Sequence, residues 1–193
     1  VVTPLDEASL RVAVRRLIDA GCESLVLHFL HSYINPAHEA RALEIAREMW
    51  PNAYVTAGHR ILSEYREYER GVTAAVNASV QPVLDRYLRT LTEELRKRGF
   101  RSDLLVMQGN GGTVTAALAA ETAVNTVMSG PASGIIAAAS VTTSTGWPNA
   151  ITYDMGGTST DVSRVDADAA GGVEFERVYE TETAGVRVFA PML

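Results

Sequence analysis

Two alternating segments joined by a glycine-rich break constrain the fold of this chain more than any other feature. The segments AITYD (150–154) and DVSRV (161–165) alternate apolar and polar residues, which is the pattern of β-strands. Between them, MGGTST must reverse the direction of the chain, and Gly-Gly is a standard two-residue hairpin turn. The sequence therefore predicts a β-hairpin in this region.

The composition of the break also suits a bound phosphate group. Adjacent glycines leave backbone N–H groups uncovered, and neighbouring hydroxyl side chains add further donors. These donors belong to Gly156, Gly157, Thr158, Ser159 and Thr160. Asp154 and Asp161 flank them and would repel a phosphate directly, but they suit a Mg²⁺ ion that is itself bound to phosphates. The residues alone leave two interpretations open, a phosphate-binding hairpin and a purely structural one.

The rest of the chain alternates between helical and strand patterns. Helices are predicted at 4–20, 35–50, 63–98, 115–121 and 129–146, and strands at 24–33, 53–58, 103–108 and around 125–129, with two more strands after residue 172. In the longest helix, apolar residues recur every three or four positions from Tyr65 to Leu95, with a kink or restart at Pro82. This order of elements predicts an α/β fold.

Charge and composition argue against several functions. The 193 residues include 17 Lys and Arg against 23 Asp and Glu, without a basic block, so no nucleic-acid partner is expected. The charge-free run 122–153 is rich in Gly, Ser and Thr, and its apolar core GIIAAASV is shorter than the roughly 20 residues that a bilayer requires, so no membrane span is predicted. A single cysteine, Cys22, permits no internal disulfide and fits a reducing, cytoplasmic setting.

Three further places carry candidate site residues. Gly130 lies at the predicted helix start in SGPASG, where free N–H groups favour an anion, although close helix packing is the alternative. Asn110 and Gly111, in QGNGG, directly follow a strand, where ligands gather in α/β sheets. Arg66 lies in EYREYER, for which a solvated, self-paired helix face is the alternative.

Two histidines close together in the sequence do not predict a metal site. His28 and His31 are three residues apart on the predicted strand, so they are expected on opposite faces of it. They therefore cannot bind one metal ion together.

The motifs resemble those of a known enzyme family. ITYDMGGTSTDVSRV, preceded by SGPASGIIAAA, resembles the second phosphate-binding hairpin and its preceding helix in the superfamily of actin, heat-shock chaperones and sugar kinases. A more specific resemblance rests on DMGGTSTDV, LHSYINPAHE, SEYREYER, NASVQPVLDRYL, MQGNGG and SGPASG. These segments are similar to those of the hydantoinase A/5-oxoprolinase family, which also contains β subunits of acetone-type carboxylases. The similarity extends from about residue 25 to the end of the sequence.

This resemblance implies a fold and a domain organisation. The expected fold is actin-like, of the ribonuclease H type, with residues 1–62 ending an N-terminal α/β domain and residues 63–193 beginning the hydantoinase A domain. Members of the family are longer, with an earlier phosphate-binding hairpin and a later adenosine loop. The chain therefore resembles an internal piece of such a protein, and this piece is expected to be inactive alone.

The resemblance also implies a function. It implies an ATP-dependent hydrolase that opens a cyclic amide or imide, such as a hydantoin or 5-oxoproline, by phosphorylating the carbonyl oxygen. The glycine-hydroxyl turn and Gly130 would then bind ATP phosphates, Asp154 and Asp161 would hold Mg²⁺ or another divalent metal, and Asn110, Gly111 and Arg66 would be substrate candidates.

Two alternatives and a partner follow from the same likeness. The first alternative is the β subunit of an acetone-type carboxylase, and the second is a non-enzymatic nucleotide-binding module like actin or a chaperone. A second enzyme subunit of the hydantoinase B type is the expected partner in either enzyme.

Overall fold

The computed structural model describes residues 3–147, 149–166, 173, 178–183 and 185–190. These residues form two compact units. The first contains the described residues within 1–102, 120–124 and 181–189, and the second contains those within 103–119, 125–180 and 190–193. Helices and strands alternate along the chain, so the predicted α/β character is confirmed.

The first unit is built on two short parallel strands, β1 (Leu25–Leu27) and β2 (Val55–Ala57). Helix α2 (Ala37–Met49) connects them, and α1 (Glu7–Asp19) packs against α2. Apolar side chains between these elements form one core: Val14, Leu25, Leu27, Ala42, Leu43, Ala46, Trp50, Val55 and Ala57. Helix α1 begins later than predicted because the Asp6 carboxylate accepts a hydrogen bond from the Ser9 N–H at 3.0 Å and caps the helix there.

The strand predicted at 24–33 is wrong beyond residue 27. The backbone N–H of Phe29 donates to the Glu39 carboxylate at 2.6 Å, and that of His31 donates to Glu67 at 2.9 Å. Because these donors are used by side chains, they cannot form a strand ladder, and residues 30–34 form turns instead. The consequence is an irregular segment held at the carboxyl end of β1.

Helix α4 (Glu67–Lys97) runs without interruption through Pro82, after the single-turn helix α3 (Gly58–Ile61). Its predicted inner face is wrong, because Tyr68 and Tyr87 of the apolar stripe are 70% and 60% exposed. Five of the nine buried residues of α4 are polar, namely Arg70, Thr73, Asn77, Gln81 and Asp85, and the other four are Ala74, Ala78, Pro82 and Leu88. The helix is thus anchored largely by hydrogen bonds rather than by its apolar stripe.

One asparagine shows how this anchoring works. The Asn77 amide donates to the Thr56 hydroxyl of β2 at 3.2 Å and to the Glu121 carbonyl at 3.1 Å, and its oxygen accepts from the Val124 N–H at 3.0 Å. Nearby, β7 (Thr181–Thr183) and β8 (Val186–Val188) form an antiparallel pair, of which β8 packs on α4. The Phe189 N–H, which follows β8, donates to the Thr73 hydroxyl at 3.0 Å.

The second unit contains two antiparallel hairpins. Strands β3 (Leu105–Met107) and β4 (Thr113–Thr115) form the first hairpin, which leads into α5 (Ala116–Glu121). The strand predicted around 125–129 is wrong, because a 3-10 turn (Ala123–Thr126) and the start of α6 (Ser129–Thr145) occupy this region. Strands β5 (Asn149–Met155) and β6 (Thr160–Asp166) form the second hairpin and confirm the one predicted from the alternating segments.

The helices of the described ranges do not have the character of membrane spans. None of them combines the length and the hydropathy needed to cross a bilayer.

Candidate functional site

The β5–β6 hairpin places its two aspartates directly opposite each other. Asp154 pairs in register with Asp161, and Met155 pairs with Thr160, so residues 156–159 form a four-residue turn rather than the two-residue turn expected. The Gly156 N–H closes this turn by donating to the Ser159 carbonyl at 2.9 Å. The N–H of Gly156 is therefore already used within the turn.

The tip of the turn remains open to a ligand. Within the part of the chain that the structure describes, no hydrogen bond engages the N–H groups of Gly157 and Thr158. Apart from Gly157 itself and its two chain neighbours, no atom of the described residues lies within 4 Å of the place where a Cβ of Gly157 would be. Backbone N–H groups without an internal partner, in a glycine-rich turn, are donors that a phosphate oxygen can use.

The aspartate pair lies on the hairpin face that packs against α6. Directly opposed residues of an antiparallel pair project on the same side, so the carboxylates of Asp154 and Asp161 share this face. Oδ2 of Asp154 lies 3.9 Å from the position that a Cβ of Gly134 would occupy, in the second turn of α6. The structure thus places Gly134, the last residue of the SGPASG segment, next to the hairpin, and phosphate binding there stays a prediction.

Gly130 lies at the amino-terminal end of α6. Outside the adjacent residues and the backbone of α6, no atom of the described residues lies within 4 Å of a Cβ at this position, so close packing between described elements does not account for the glycine. Met128, two residues before Gly130, is the N-cap residue of α6 and adopts a left-handed conformation with φ of 61°. The N–H groups of the first helical turn point out of the helix end, which is where an anion is stabilised.

Asn110 and Gly111 have a clear structural role in the β3–β4 turn. The Asn110 side-chain oxygen accepts from the Gly112 N–H at 2.8 Å, and the Gly111 N–H donates to the Gln108 carbonyl at 3.0 Å. Gly111 has a φ of +78°, a conformation that side-chain-bearing residues rarely adopt. The QGNGG sequence is therefore explained locally by its turn, and contact with a substrate stays a prediction.

Arg66 belongs to the first unit, in the segment before α4. Its guanidinium lies 5.1 Å from the centre of the Phe189 ring, a cation–π contact, and 3.8 Å from the Glu69 carboxylate. These contacts account for its position within the first unit.

A buried carboxylate that the sequence analysis missed lies at the carboxyl ends of β1 and β2. Glu39 is fully buried and accepts hydrogen bonds from the backbone N–H groups of Phe29 and His59 and from Nδ1 of His59, at 2.6, 2.7 and 2.8 Å. Burial by itself would raise the pKa of Glu39, but these hydrogen bonds outweigh it and lower the pKa below its ordinary value. Glu39 is therefore ionised at neutral pH and holds both loops that follow the strands.

A buried arginine lies beside this carboxylate cluster. The Arg70 guanidinium donates to the carbonyls of Glu64 at 2.7 Å and Phe29 at 3.0 Å, and to the Glu67 carboxylate. It also lies 5.5 Å from the centre of the Tyr33 ring. The interpretation of EYREYER as a solvated face is wrong for Arg70, which is fully buried.

The two histidines expected on opposite faces both approach one carboxylate. His28 Nε2 and His31 Nδ1 lie 3.8 and 3.9 Å from the oxygens of Glu67. The expectation failed because both residues lie beyond the end of β1. Across the described residues, however, no three His, Cys, Asp or Glu side chains form a group that could hold a metal ion.

The spacing of residues along their helices could have indicated that Glu39 and Arg70 are buried. Glu39 precedes Ala42, Leu43 and Ala46 by three, four and seven positions, so it lies on the buried face of α2. Arg70 precedes Thr73, Ala74 and Asn77 in the same way on α4, but that face is polar and does not stand out as a core.

Comparison with known proteins defines the family. The hydantoinase/oxoprolinase family model matches residues 70–193, and the model of the hydantoinase/oxoprolinase N-terminal region matches residues 1–50. The chain belongs to the hydantoinase/oxoprolinase family. This result confirms the resemblance drawn from the motifs.

Relatives of known chemistry cover the whole of this chain. It is 33% identical to the caprolactamase subunit alpha of Pseudomonas jessenii over 99% of its own length and 27% of that protein. A solved structure of ATP-dependent caprolactamase from the same organism matches with a TM-score of 0.81 and 32% identity, over 99% of this chain and 27% of that one. The chain spans about a quarter of the length of these relatives.

A carboxylase is equally similar in structure. The nucleotide-free structure of acetone carboxylase, from work on ATP-dependent acetone carboxylation, matches with a TM-score of 0.81 and 30% identity, over 99% of this chain and 26% of that one. The mixed helix-and-strand fold is thus shared with enzymes of two different ATP-dependent reactions.

Proposed function

We propose that this chain forms part of an ATP-dependent enzyme that opens a cyclic amide or imide of the hydantoin or 5-oxoproline type. The observation that carries this proposal is the β5–β6 hairpin, in which two opposed aspartates stand beside a turn with open N–H groups. Membership of the family and the similarity to an ATP-dependent caprolactamase support the same conclusion. The fold proposed for the whole protein is actin-like, with a domain boundary near residue 62.

The donor set around the hairpin fits Mg-ATP. Two like charges directly opposed on a hairpin are unfavourable unless a cation lies between or above them. Across the described residues, neither Asp154 nor Asp161 has a cationic side-chain partner. Two carboxylates with further oxygen ligands from phosphates and water form the environment that Mg²⁺ prefers, so Asp154 and Asp161 are assigned to the metal in this proposal.

The turn would bind the phosphates themselves. We assign the N–H groups of Gly157 and Thr158 and the hydroxyls of Thr158, Ser159 and Thr160 as donors to phosphate oxygens, together with the helix end at Gly130. Gly156 contributes by closing the turn rather than through its N–H, which is already bonded. Positioning and charge stabilisation of this kind provide most of the rate in phosphoryl transfer.

Phosphorylation solves the central difficulty of the reaction. An amide carbonyl is a poor electrophile, and transfer of the terminal phosphoryl group of ATP to its oxygen makes the carbon reactive. Water then adds to this carbon, and the ring opens as the C–N bond breaks and the nitrogen gains a proton, which leaves an amine and an acyl phosphate. A second water releases phosphate and the carboxylate, so the products are the opened acid, ADP and phosphate.

A second candidate function is the β subunit of an acetone-type carboxylase. The TM-scores to acetone carboxylase and to caprolactamase are equal, so similarity of fold supports this candidate as strongly as it supports the hydrolase. In both candidates we propose a second subunit of the hydantoinase B type, since the caprolactamase relative is itself named as a subunit. A cytoplasmic location is also a prediction.

Phosphorus NMR of ATP turnover by the whole protein with its partner subunit separates the two candidates. The added substrate would be 5-oxoproline, hydantoin, or acetone with bicarbonate. ADP and phosphate formed only with a cyclic amide would support the hydrolase. AMP and two phosphates that depend on ketone and bicarbonate would overturn it in favour of the carboxylase.

The variant Asp154→Asn tests the assignment of the metal site. We expect Mg-ATP turnover by the whole protein to be abolished, because one of two metal-binding carboxylates becomes a neutral amide. Near-normal turnover by the folded variant would refute the site.

A further inference from the structure

We propose that Gly134 keeps the α6 side of the Asp154 carboxylate open, so that a metal ion held by this carboxylate retains bound water on that side. This inference rests on the proposed function, in which Asp154 and Asp161 hold the divalent metal of Mg-ATP. Gly134, Asp154 and Asp161 all belong to the second unit, so the inference depends on no relation between the two units.

Gly134 lies in the interior of α6, where a glycine requires an explanation. It is the sixth of the 17 residues of this helix, and alanine favours the interior of a helix more than glycine does. Gly134 is not among the glycines with a positive φ, so the backbone conformation does not require glycine at this position. The reason for the glycine must therefore lie in the space in front of it.

This space borders a single atom of the described residues. Oδ2 of Asp154 lies 3.9 Å from the position that a Cβ of Gly134 would occupy, and no other atom outside the adjacent residues and the backbone of α6 lies within 4 Å. Gly58 differs, because a Cβ there would lie 3.0 Å from Nδ1 of His28 and would collide with it. An alanine at position 134 would fit against the described residues, so packing between them does not exclude it.

The Asp154 carboxylate finds no protein partner on the side that faces α6. The sequence of this helix, SGPASGIIAAASVTTST, contains no charged residue. The backbone N–H of Gly134 belongs to the hydrogen-bond pattern of the helix and is not available to the carboxylate. Within the described residues, no hydrogen bond or ion pair engages the carboxylate of Asp154 or that of Asp161. Water or a cation is therefore left to satisfy these oxygens.

The chemistry of Mg²⁺ fits an open side of this kind. In proteins this ion is usually bound through one or two carboxylates and phosphates and keeps several of its water molecules. Asp154 and Asp161 provide two carboxylates on the same face of the hairpin. The helix opposite them provides neither a charge nor a side chain at position 134, so this side of the site suits the retained water.

A methyl group at position 134 would remove this water without disturbing the fold. A water molecule that is hydrogen-bonded to a carboxylate oxygen lies about 2.8 Å from it, and a methyl carbon keeps about 3.5–4.0 Å from its neighbours. A water molecule cannot fit between Oδ2 of Asp154 and a methyl group that are 3.9 Å apart. Any residue larger than glycine at position 134 therefore excludes water from this side of the carboxylate.

Gly134→Ala in the whole protein with its partner subunit tests this role. Binding of AMP-PNP, a non-hydrolysable analogue of ATP, is measured by calorimetry with saturating Mg²⁺ and again with EDTA. The ratio of the two dissociation constants is the gain in affinity that Mg²⁺ provides. We expect Gly134→Ala to lower this gain at least about tenfold, the effect of losing one hydrogen bond to a charged group. The affinity measured in EDTA should stay within about twofold.

Thermal unfolding and a matched variant separate this effect from a change in folding. Alanine stabilises a helix interior relative to glycine, so Gly134→Ala should unfold at the same or a higher temperature. Ser140→Ala, at an exposed position of the same helix, should leave the gain from Mg²⁺ within about twofold. A lower unfolding temperature for Gly134→Ala would overturn the proposal, because the methyl group would then collide with the protein rather than with water. An equal loss of the gain in Ser140→Ala would also overturn it.

The same measurements distinguish failure of this inference from failure of the proposed function. If Mg²⁺ provides no gain in the unmodified protein, the metal assignment of Asp154 and Asp161 fails, and the role of Gly134 fails with it. If the gain is present and stays within about twofold in Gly134→Ala, the role of Gly134 alone is overturned. A gain that is lost in Gly134→Ala supports the inference even if the protein opens no cyclic amide, because AMP-PNP binding involves no ring opening.

Discussion

Replacing Glu39 by glutamine tests whether the buried carboxylate stabilises the first unit. Oε2 of Glu39 accepts the Phe29 N–H, and Oε1 accepts both the N–H and Nδ1 of His59. Glutamine has one acceptor oxygen and one NH₂ group. If its oxygen replaces Oε1, the NH₂ group faces the Phe29 N–H, donor against donor. One hydrogen bond to a charged group is lost and one buried N–H is left unpaired.

The expected magnitude follows from these losses. A hydrogen bond to a charged group contributes about 1.5–3 kcal/mol, and an unpaired buried donor costs about 1–3 kcal/mol. Allowing for partial relaxation, we expect Glu39→Gln to lower the free energy of unfolding by about 3 kcal/mol. Urea unfolding followed by the fluorescence of Trp50, which is 5% exposed in the core of this unit, measures the change in a Trp147→Phe background.

A matched variant and the effect of pH make this prediction refutable. Glu44→Gln on the same helix removes a carboxylate whose side chain is 65% exposed, and it should change stability by less than about 0.5 kcal/mol. The pKa of Glu39 is lowered by folding, so its contribution is complete above the unfolded pKa of about 4.3 and is lost as pH falls through the folded value. If Glu39→Gln changes the free energy of unfolding by less than about 0.5 kcal/mol at pH 7, the reasoning is refuted. It is also refuted if the difference in the free energy of unfolding between the variant and the unmodified chain does not become smaller at acidic pH.

Three further perturbations test other contacts. Without metal, Asp154→Asn should stabilise the hairpin by about 0.2–1 kcal/mol, because it removes repulsion from Asp161, and a loss of thermal stability would argue against the opposed pair. Arg70→Lys should cost at least about 2 kcal/mol in urea unfolding, since one ammonium cannot reach three acceptors, whereas Arg86→Lys at an exposed pair should cost less than about 0.5 kcal/mol. Gly58→Ala should lower the free energy of unfolding by about 1–3 kcal/mol, because the added methyl group crowds the imidazole of His28 and the carboxylate of Glu39. An unchanged unfolding midpoint would contradict the close approach of Gly58 to these two side chains.

The hairpin could be predicted from sequence because its signals are local. Alternation in AITYD and DVSRV fixes which residues share a face, and the glycines between them fix where the chain reverses. The number of residues in the turn was wrong, because the Gly156 N–H bonds to Ser159 and this closure depends on three-dimensional geometry that the residue types do not specify.

The inner face of α4 could not be predicted for a different physical reason. Periodic apolar residues normally mark the buried side of a helix. On α4 the buried side carries Arg70, Thr73 and Asn77, whose partners are backbone groups and side chains distant in the sequence. A charged or amide residue is buried only when such partners exist, and one sequence does not reveal them.

The polar inner face of α4 also fixes the helix along its own axis. A purely apolar seam is tolerant of small shifts, because one methyl group can replace another at little cost. Each hydrogen bond of Asn77, by contrast, joins one atom to one atom, and a shift of one turn, about 5.4 Å, would break all of them together. The three hydrogen bonds of Asn77 can therefore form together in only one axial position of helix α4. A displacement of the strand and turn that bind Asn77 would either move the helix with them or break all three bonds.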